Sequence, residues 1–426
     1  MTYLFANAQE IKNDIGNPIP VVSADGSSFF GKMQLDAFGR LRVSQPYTLF
    51  DSFHRYQDNG KINQATNNGT VVHNPNTSSI ECTVNGTAGA YVKRESSRVF
   101  SYQPGKSLQI IQTYVMNAHK TGLRQRYGYF GEQNGYFIEQ SDLGICFVER
   151  SYSTGSLIET RVFKSNWNYD KLDGTGISGF SLDLSKAQIQ FIDIEWLGCG
   201  SVRCGFVIAG QFCLAHTFHH ANILTNTYMT TACLPVRAEI ENVTATSGSS
   251  TLKIICASVM SEGGYEVSGR PQSIGHNLAT PYNTGSPANT LRPLITMRLK
   301  SNRLDAVVLP KLFNIVPIEA IVGKWVILQN AVTSGGSGTW VSAGPDSSVE
   351  YKLDATTIDM TNAKTLETGF IQSTSGSRAS IADETAFKYQ LERNSFVGMA
   401  YEITLALQVT TTNKDIYASI AWEEST

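Results

Sequence analysis

Cys199, Cys204, Cys213, His216, His219 and His220 fall within 22 residues and include the soft and imidazole ligands that zinc prefers. Structural zinc sites pair such ligands at short spacings on turns, and His216 with His219 comes nearest to that. Were 212–220 a strand, alternation would put His216 and His220 on one face and Cys213 and His219 on the other. The set is split, so the spacing favours hydrogen-bonded histidines at a strand end over a metal centre. Asp193 and Glu195 form a second candidate. Two residues apart on a strand, they face one way with Cα atoms about 6.5–7 Å apart, within the carboxylate separations of about 5–9 Å that glycosidases use. Any strand with a polar face makes such pairs, and Glu239 with Glu241 repeats this one. Gly174-Thr-Gly-Ile-Ser-Gly179 has the glycine spacing of a phosphate loop but follows Asp170-Lys-Leu-Asp rather than a buried strand. No Gly-x-Ser-x-Gly and no P-loop occurs.

Composition narrows the setting. Charged residues are 16% of the 426, against roughly 25% in ordinary soluble domains. With 41% hydrophobic residues the chain can still build substantial cores, so Ser, Thr, Asn, Gln and Gly must supply much of the surface. The net charge of −2 comes with no Lys/Arg block, which leaves no footprint for nucleic acid. No apolar run approaches the roughly 20 residues that cross a bilayer. The N-terminus lacks the pattern of a secretion signal. Seven scattered cysteines read as reduced, mostly buried thiols in a cytoplasm rather than a disulfide framework.

The elements that must position these groups read as strands. Residues 1–35 mix Asn, Asp, Gly and Pro with brief apolar alternation and read as an extended arm. Asp36–Ser44 reads as a turn and short strand, with Leu41 and Val43 on one face and Arg40 and Arg42 on the other. From 48 to 270 strand signals follow one another. Asn134-Gly135 marks a tight turn, and Gln188–Trp196, Val202–Ile208 and Phe212–Phe218 form a meander. A short helix is expected at Leu184–Ala187. The Gly/Pro/Asn-rich stretch 263–290 marks the boundary, with 271–290 as linker, and short strands resume over 291–426, including period-two residues Phe387, Tyr389 and Leu391. The expected fold is all-β: an arm and hinge (1–47), a jelly-roll-like β-sandwich (48–270), and a second, smaller β-sandwich (291–426).

Asp36-Ala-Phe-Gly-Arg-Leu-Arg-Val-Ser, followed by Thr48-Leu-Phe-Asp-Ser, resembles an opening of structural proteins from tailed bacteriophages. The resemblance continues through Phe191-Ile-Asp-Ile-Glu-Trp-Leu-Gly-Cys-Gly-Ser-Val-Arg-Cys-Gly-Phe-Val, His216-Thr-Phe-His-His-Ala-Asn, Leu234-Pro-Val-Arg-Ala-Glu-Ile-Glu-Asn and Ser261-Glu-Gly-Gly-Tyr. Near the end, Pro293-Leu-Ile-Thr-Met-Arg-Leu-Lys and Ala418-Ser-Ile-Ala-Trp-Glu-Glu are similar too. It implies a virion component assembled in the host bacterial cytoplasm and brings no catalytic residues.

The expectation is a non-enzymatic tail, baseplate, fibre or adaptor subunit, without cofactor or metal, contacting other virion proteins as a symmetric oligomer, a trimer foremost. Arg40 and Arg42 would make polar contacts across a subunit boundary, with Leu41, Val43, Leu49 and Phe50 packing its apolar side. Alternatives are a capsid decoration or head-fibre protein, and a receptor-binding protein that binds or depolymerises host-surface glycan.

Overall fold

The structure, a computed structural model, describes residues 46–265, 269–374, 381–384 and 389–425. Arg40, Leu41, Arg42 and Val43, with nearly all of the arm and hinge, lie outside the described residues.

The first unit begins with β1 (Tyr47–Phe53), β2 (Ile62–Asn67), β3 (Gly69–Asn74), β4 (Ser79–Val84), β5 (Tyr91–Ser96), β6 (Phe100–Ser101) and β7 (Ser107–Val115). It continues through β8 (Leu123–Phe130), β9 (Gly135–Ser141), β10 (Gly144–Ser151), β11 (Ile158–Phe163), β12 (Gln188–Ile194), β13 (Val202–Ile208) and β14 (Gln211–Phe218). Then come β15 (Cys233–Leu234), β16 (Val236–Asn242) and β17 (Ser250–Glu262). Strands β14-β13-β12-β7-β17-β4-β3 form a front sheet, with β1 also paired to β17. Strands β11-β10-β9-β8-β16-β5-β2 form a back sheet.

Strict alternation makes these strands a sandwich. On β7, Leu108, Ile110 and Tyr114 point inward while Gln109, Ile111 and Thr113 point out. The inward set meets Tyr127, Tyr129, Ile138 and Phe147 of the back sheet, and the rings of Tyr114 and Tyr127 meet edge to face at 5.3 Å. Each large apolar side chain buried here contributes about 1.5–3 kcal/mol. The meander is the run β12-β13-β14, and Asn134-Gly135 closes the β8–β9 hairpin.

The second unit is built from β18 (Arg270–Gly275), β19 (Tyr282–Asn283), β20 (Leu291–Leu299), β21 (Val307–Pro317), β22 (Ile321–Gln329), β23 (Val332–Ser334), β24 (Val341–Ser342) and β25 (Val349–Lys352). It ends with β26 (Thr357–Asp359), β27 (Lys364–Ser373), β28 (Ile381–Glu384), β29 (Arg393–Asn394), β30 (Met399–Ala400), β31 (Ile403–Val409) and β32 (Asp415–Ser425). Sheets β18-β32-β21-β28 and β24-β25-β20-β31-β22-β27 enclose Leu294, Met297, Phe313, Trp325, Leu405 and Trp422. The fold is thus all-β, a jelly-roll-like sandwich followed by a smaller one.

Four expectations need correcting. The passage 271–290 is not a linker, because β18 and β19 both pair with β32; Pro271 is tolerated because β18 is an edge strand. No helix forms at 184–187: the Asp183 carboxylate accepts from the Ser185 amide and hydroxyl, closing a turn just before β12. Tyr389 and Leu391 lie outside any strand, Leu391 making one backbone link to Val308. Phe50 does not lie on an exposed apolar side. It is buried in the chain's own core against Phe100, with Leu49 packed on the same core.

Candidate functional site

The two sandwich faces that point away from the core differ sharply. The outer face of the back sheet is closed by its own side chains. Arg126 pairs with Glu139 at 2.7 Å and with Glu159 and Glu239 at 3.5 Å, Arg150 pairs with Glu159 at 2.7 Å, and Arg161 bridges Glu139 and Glu159. Arg237 reaches Glu95, Glu132 and Glu239 while lying over the rings of Phe130 and Phe396. Burial alone would raise the Glu159 carboxyl, but three guanidinium groups outweigh it and hold it down at about 2. These arginines and glutamates all have partners, which suits a structural seal better than a ligand site.

The outer face of the front sheet is arranged in rows. Register aligns Thr48, Met260, Gln109, Asp193, Arg203 and Thr217 in the first row. Asp51, Ser258, Ile111, Phe191, Gly205 and Leu214 form the second. Phe53, Cys256, Thr113 and Ile189 are partners in the third, which Val207 and Phe212 continue on β13 and β14. At the strand spacing, this last row runs about 24 Å from Phe53 to Phe212.

An aromatic platform lies in the middle. Phe191 is only 6% exposed although it points away from the core, because its ring lies across Gly205 on the next strand and packs 5.4 Å from Phe212. A Cβ on Gly205 would come within 2.6 Å of the Phe191 ring and 2.3 Å of the Cys213 carbonyl, so only glycine lets the ring lie there. Phe212 itself is 59% exposed, and Phe53 at the far end 60%. Beside the third row, Thr113, Ile189, Val207 and Cys256 help line an open groove of about 640 Å³, with Ser181, Asp183 and Lys186 among its other lining residues.

Polar groups adjoin the platform. Arg203 bridges Asp193 at 2.9 Å and Glu195 at 3.2 Å. Burial pushes the Asp193 carboxyl up to about 6; Arg203 opposes this, and Glu262 and Glu195 add to it. The Asp193 Oδ1 atom is buried, and the Ser107 hydroxyl beside the carboxyl also favours its ionised form. The carboxylate pair singled out by spacing therefore sits on one guanidinium, next to an aromatic surface.

The remaining sequence candidates separate. His216 points into the core against Phe218, and burial lowers it to about 4. His219 is exposed, with Ser201 3.2 Å away. His220 spans the Gly200 carbonyl and the Glu149 carboxylate, each at 2.6 Å, and stacks on Tyr228. Among the described residues no group of His, Cys, Asp and Glu is gathered to hold a metal. The glycine loop at 174–179 wraps a carboxylate of its own: Asp170 accepts from the amides of Leu172 and Ser178. Spacing alone missed Phe191, Gly205 and Phe212, whose only signal is an exposed aromatic on a strand and a glycine inside its neighbour.

No family model matches this chain, and no curated protein matches it. Among solved structures it is similar to the CBM2 module of the Lactobacillus casei BL23 phage J-1 evolved Dit, at 4% identity and TM-score 0.34, over 53% of this chain and all of that one. It is similar to a Bacillus licheniformis beta-glucanase at 12% identity and TM-score 0.33, over 49% of this chain and 96% of that one. Peanut lectin aligns at 11% identity and TM-score 0.30, over 51% of this chain and 97% of that one.

Proposed function

We propose that this chain is a non-catalytic component of a tailed-phage particle, and that it binds carbohydrate on the outer face of its front sheet. The observation that carries the binding reading is the Phe191–Phe212 platform with Asp193, Arg203 and Glu195 beside it. A sugar ring offers an apolar C–H face and a rim of hydroxyls. The first suits an aromatic floor, and the second suits a few charged groups fixed at its edge. The long third row suits an extended oligosaccharide. Asp193 and Glu195 both engage Arg203, which favours orienting hydroxyls over acting as acid and base. The phage context rests on the resemblance of the 36–52 segment and the motifs after it; placement in the tail and a trimeric assembly belong to the same proposal.

The test is to incubate the full chain with host-surface polysaccharide, measuring binding and release of reducing ends together. Binding without release is expected, weakened at least tenfold in Phe212→Ala at unchanged melting temperature. Release of oligosaccharides would overturn the non-catalytic reading, and absence of binding would overturn the glycan reading.

A further inference from the structure

We infer that the front-sheet face selects non-anionic glycans, uncharged or amino-bearing, and rejects uronate- or sulfate-bearing ones; this rests on the carbohydrate reading above. The charges beside the platform are unbalanced. Asp193 and Glu195 share the single guanidinium of Arg203, and Glu262 bears on Asp193 from the neighbouring part of the sheet. Three carboxylates stand against the one guanidinium of Arg203, while Lys106, whose stem lies by Gly263 next to Glu262, turns its ammonium to Gln103, so carboxylates remain in surplus at the margin. On the groove rim Asp183 and Lys186 offset each other. Asp51 adds a further negative charge in the same row as Phe191, about 14 Å away across three strand spacings. That is beyond one Debye length at physiological salt, so it counts little.

An anionic sugar resting on Phe212, which Phe191 supports from beneath, would bring its carboxylate to this margin. Asp193 and Glu195 both meet Arg203 at Nη2, so an added carboxylate need displace neither, but it would be a third anion on a guanidinium whose charge two carboxylates already share. A hydroxyl adds no charge to that margin. It can donate to the exposed carboxylate of Glu195 while Arg203 keeps both of its partners. An ammonium group would do the same with added Coulomb attraction. The exclusion of anions by the surplus of carboxylates, not the attraction of any one sugar, is the specificity element, and Glu195 and Glu262 are its exposed or half-exposed members.

The experiment measures affinity of the full chain for a neutral β-glucan oligosaccharide, a chitosan oligosaccharide and polygalacturonate at low and physiological salt. The first two should bind at least tenfold more tightly than the third. The double variant Glu195→Gln/Glu262→Gln should narrow that ratio by about tenfold, through tighter binding of polygalacturonate and with most of the change at low salt. Tighter binding of polygalacturonate to the unmodified chain would overturn the selectivity while leaving glycan binding intact. An unaltered ratio in the double variant, with polygalacturonate still rejected, would overturn the carboxylates as its cause. Binding of none of the three would overturn both the selectivity and the reading beneath it.

Discussion

Arg393 on the second sandwich donates to Glu95 on the first across 2.7 Å, and both side chains are almost completely buried. Around this pair Arg98 and Ser97 reach Glu392, and Tyr401 donates to Asn63. Val99 packs with Val307 and Leu309. The two sandwiches are therefore joined through charges that have lost their water, and such a joint resists removal of either partner.

Arg393→Ala should destabilise the chain by about 3 kcal/mol, because it leaves Glu95 a buried carboxylate whose one remaining cation is Arg237 at 3.3 Å, with the Ser395 hydroxyl as a neutral donor. With the joint weakened, the two sandwiches should unfold in separate steps. Calorimetry checks this, and a single unshifted transition would refute the coupling.

Gly205→Ala tests the platform. The added methyl meets backbone at Cys213 and the Phe191 ring at once, and backbone cannot move aside cheaply. A loss of about 1–3 kcal/mol is expected from overpacking. The Phe191 ring must also leave the neighbouring strand, so glycan affinity should fall further than stability predicts. Tyrosine or tryptophan at 212 should preserve binding; equal loss there would mean that the aromatic face is not the contact.

Much of the fold was legible because its signals are local. The β12-β13-β14 meander follows from dense β-branched and aromatic runs separated by Gly198, Gly200 and Gly210, and Asn134-Gly135 announces its hairpin. What was not legible depends on register. The thirteen-residue β17 pairs with β7 on one side and shares its other edge between β4 and β1, a division no local pattern encodes. The same is true of the site. Phe191 and Gly205 are ordinary strand residues until pairing sets one across the other. Glu149 and His220 are 71 positions apart and meet only once the sandwich closes. Asp193 and Glu195 were visible from spacing, whereas Arg203, which decides their role, came from the neighbouring strand.

Asp193 gives a pH signature with a defined sign. Its carboxyl is raised to about 6 in the folded chain from the ordinary 3.8, chiefly by burial, with Glu262 and Glu195 adding to it and Arg203 opposing. Between those two values the folded state binds more protons than the unfolded one, so this group lowers stability as pH rises through that window. The full effect, on the order of 3 kcal/mol, is present above about pH 7 and vanishes below about pH 4. Glu159, held down at about 2, acts in the opposite sense, its contribution being present above the ordinary carboxylate value and lost as pH falls toward 2. The measurement must therefore be a difference between variants. Asp193→Asn cannot titrate, and Arg203 keeps Glu195 as a partner in it. Urea midpoints at pH 4.5 and 7.5 should show the variant gaining on the parent as pH rises, by the larger part of that amount. Parallel behaviour of the two proteins would mean that Asp193 is hydrated and ordinary, and that the margin of the platform is open to water.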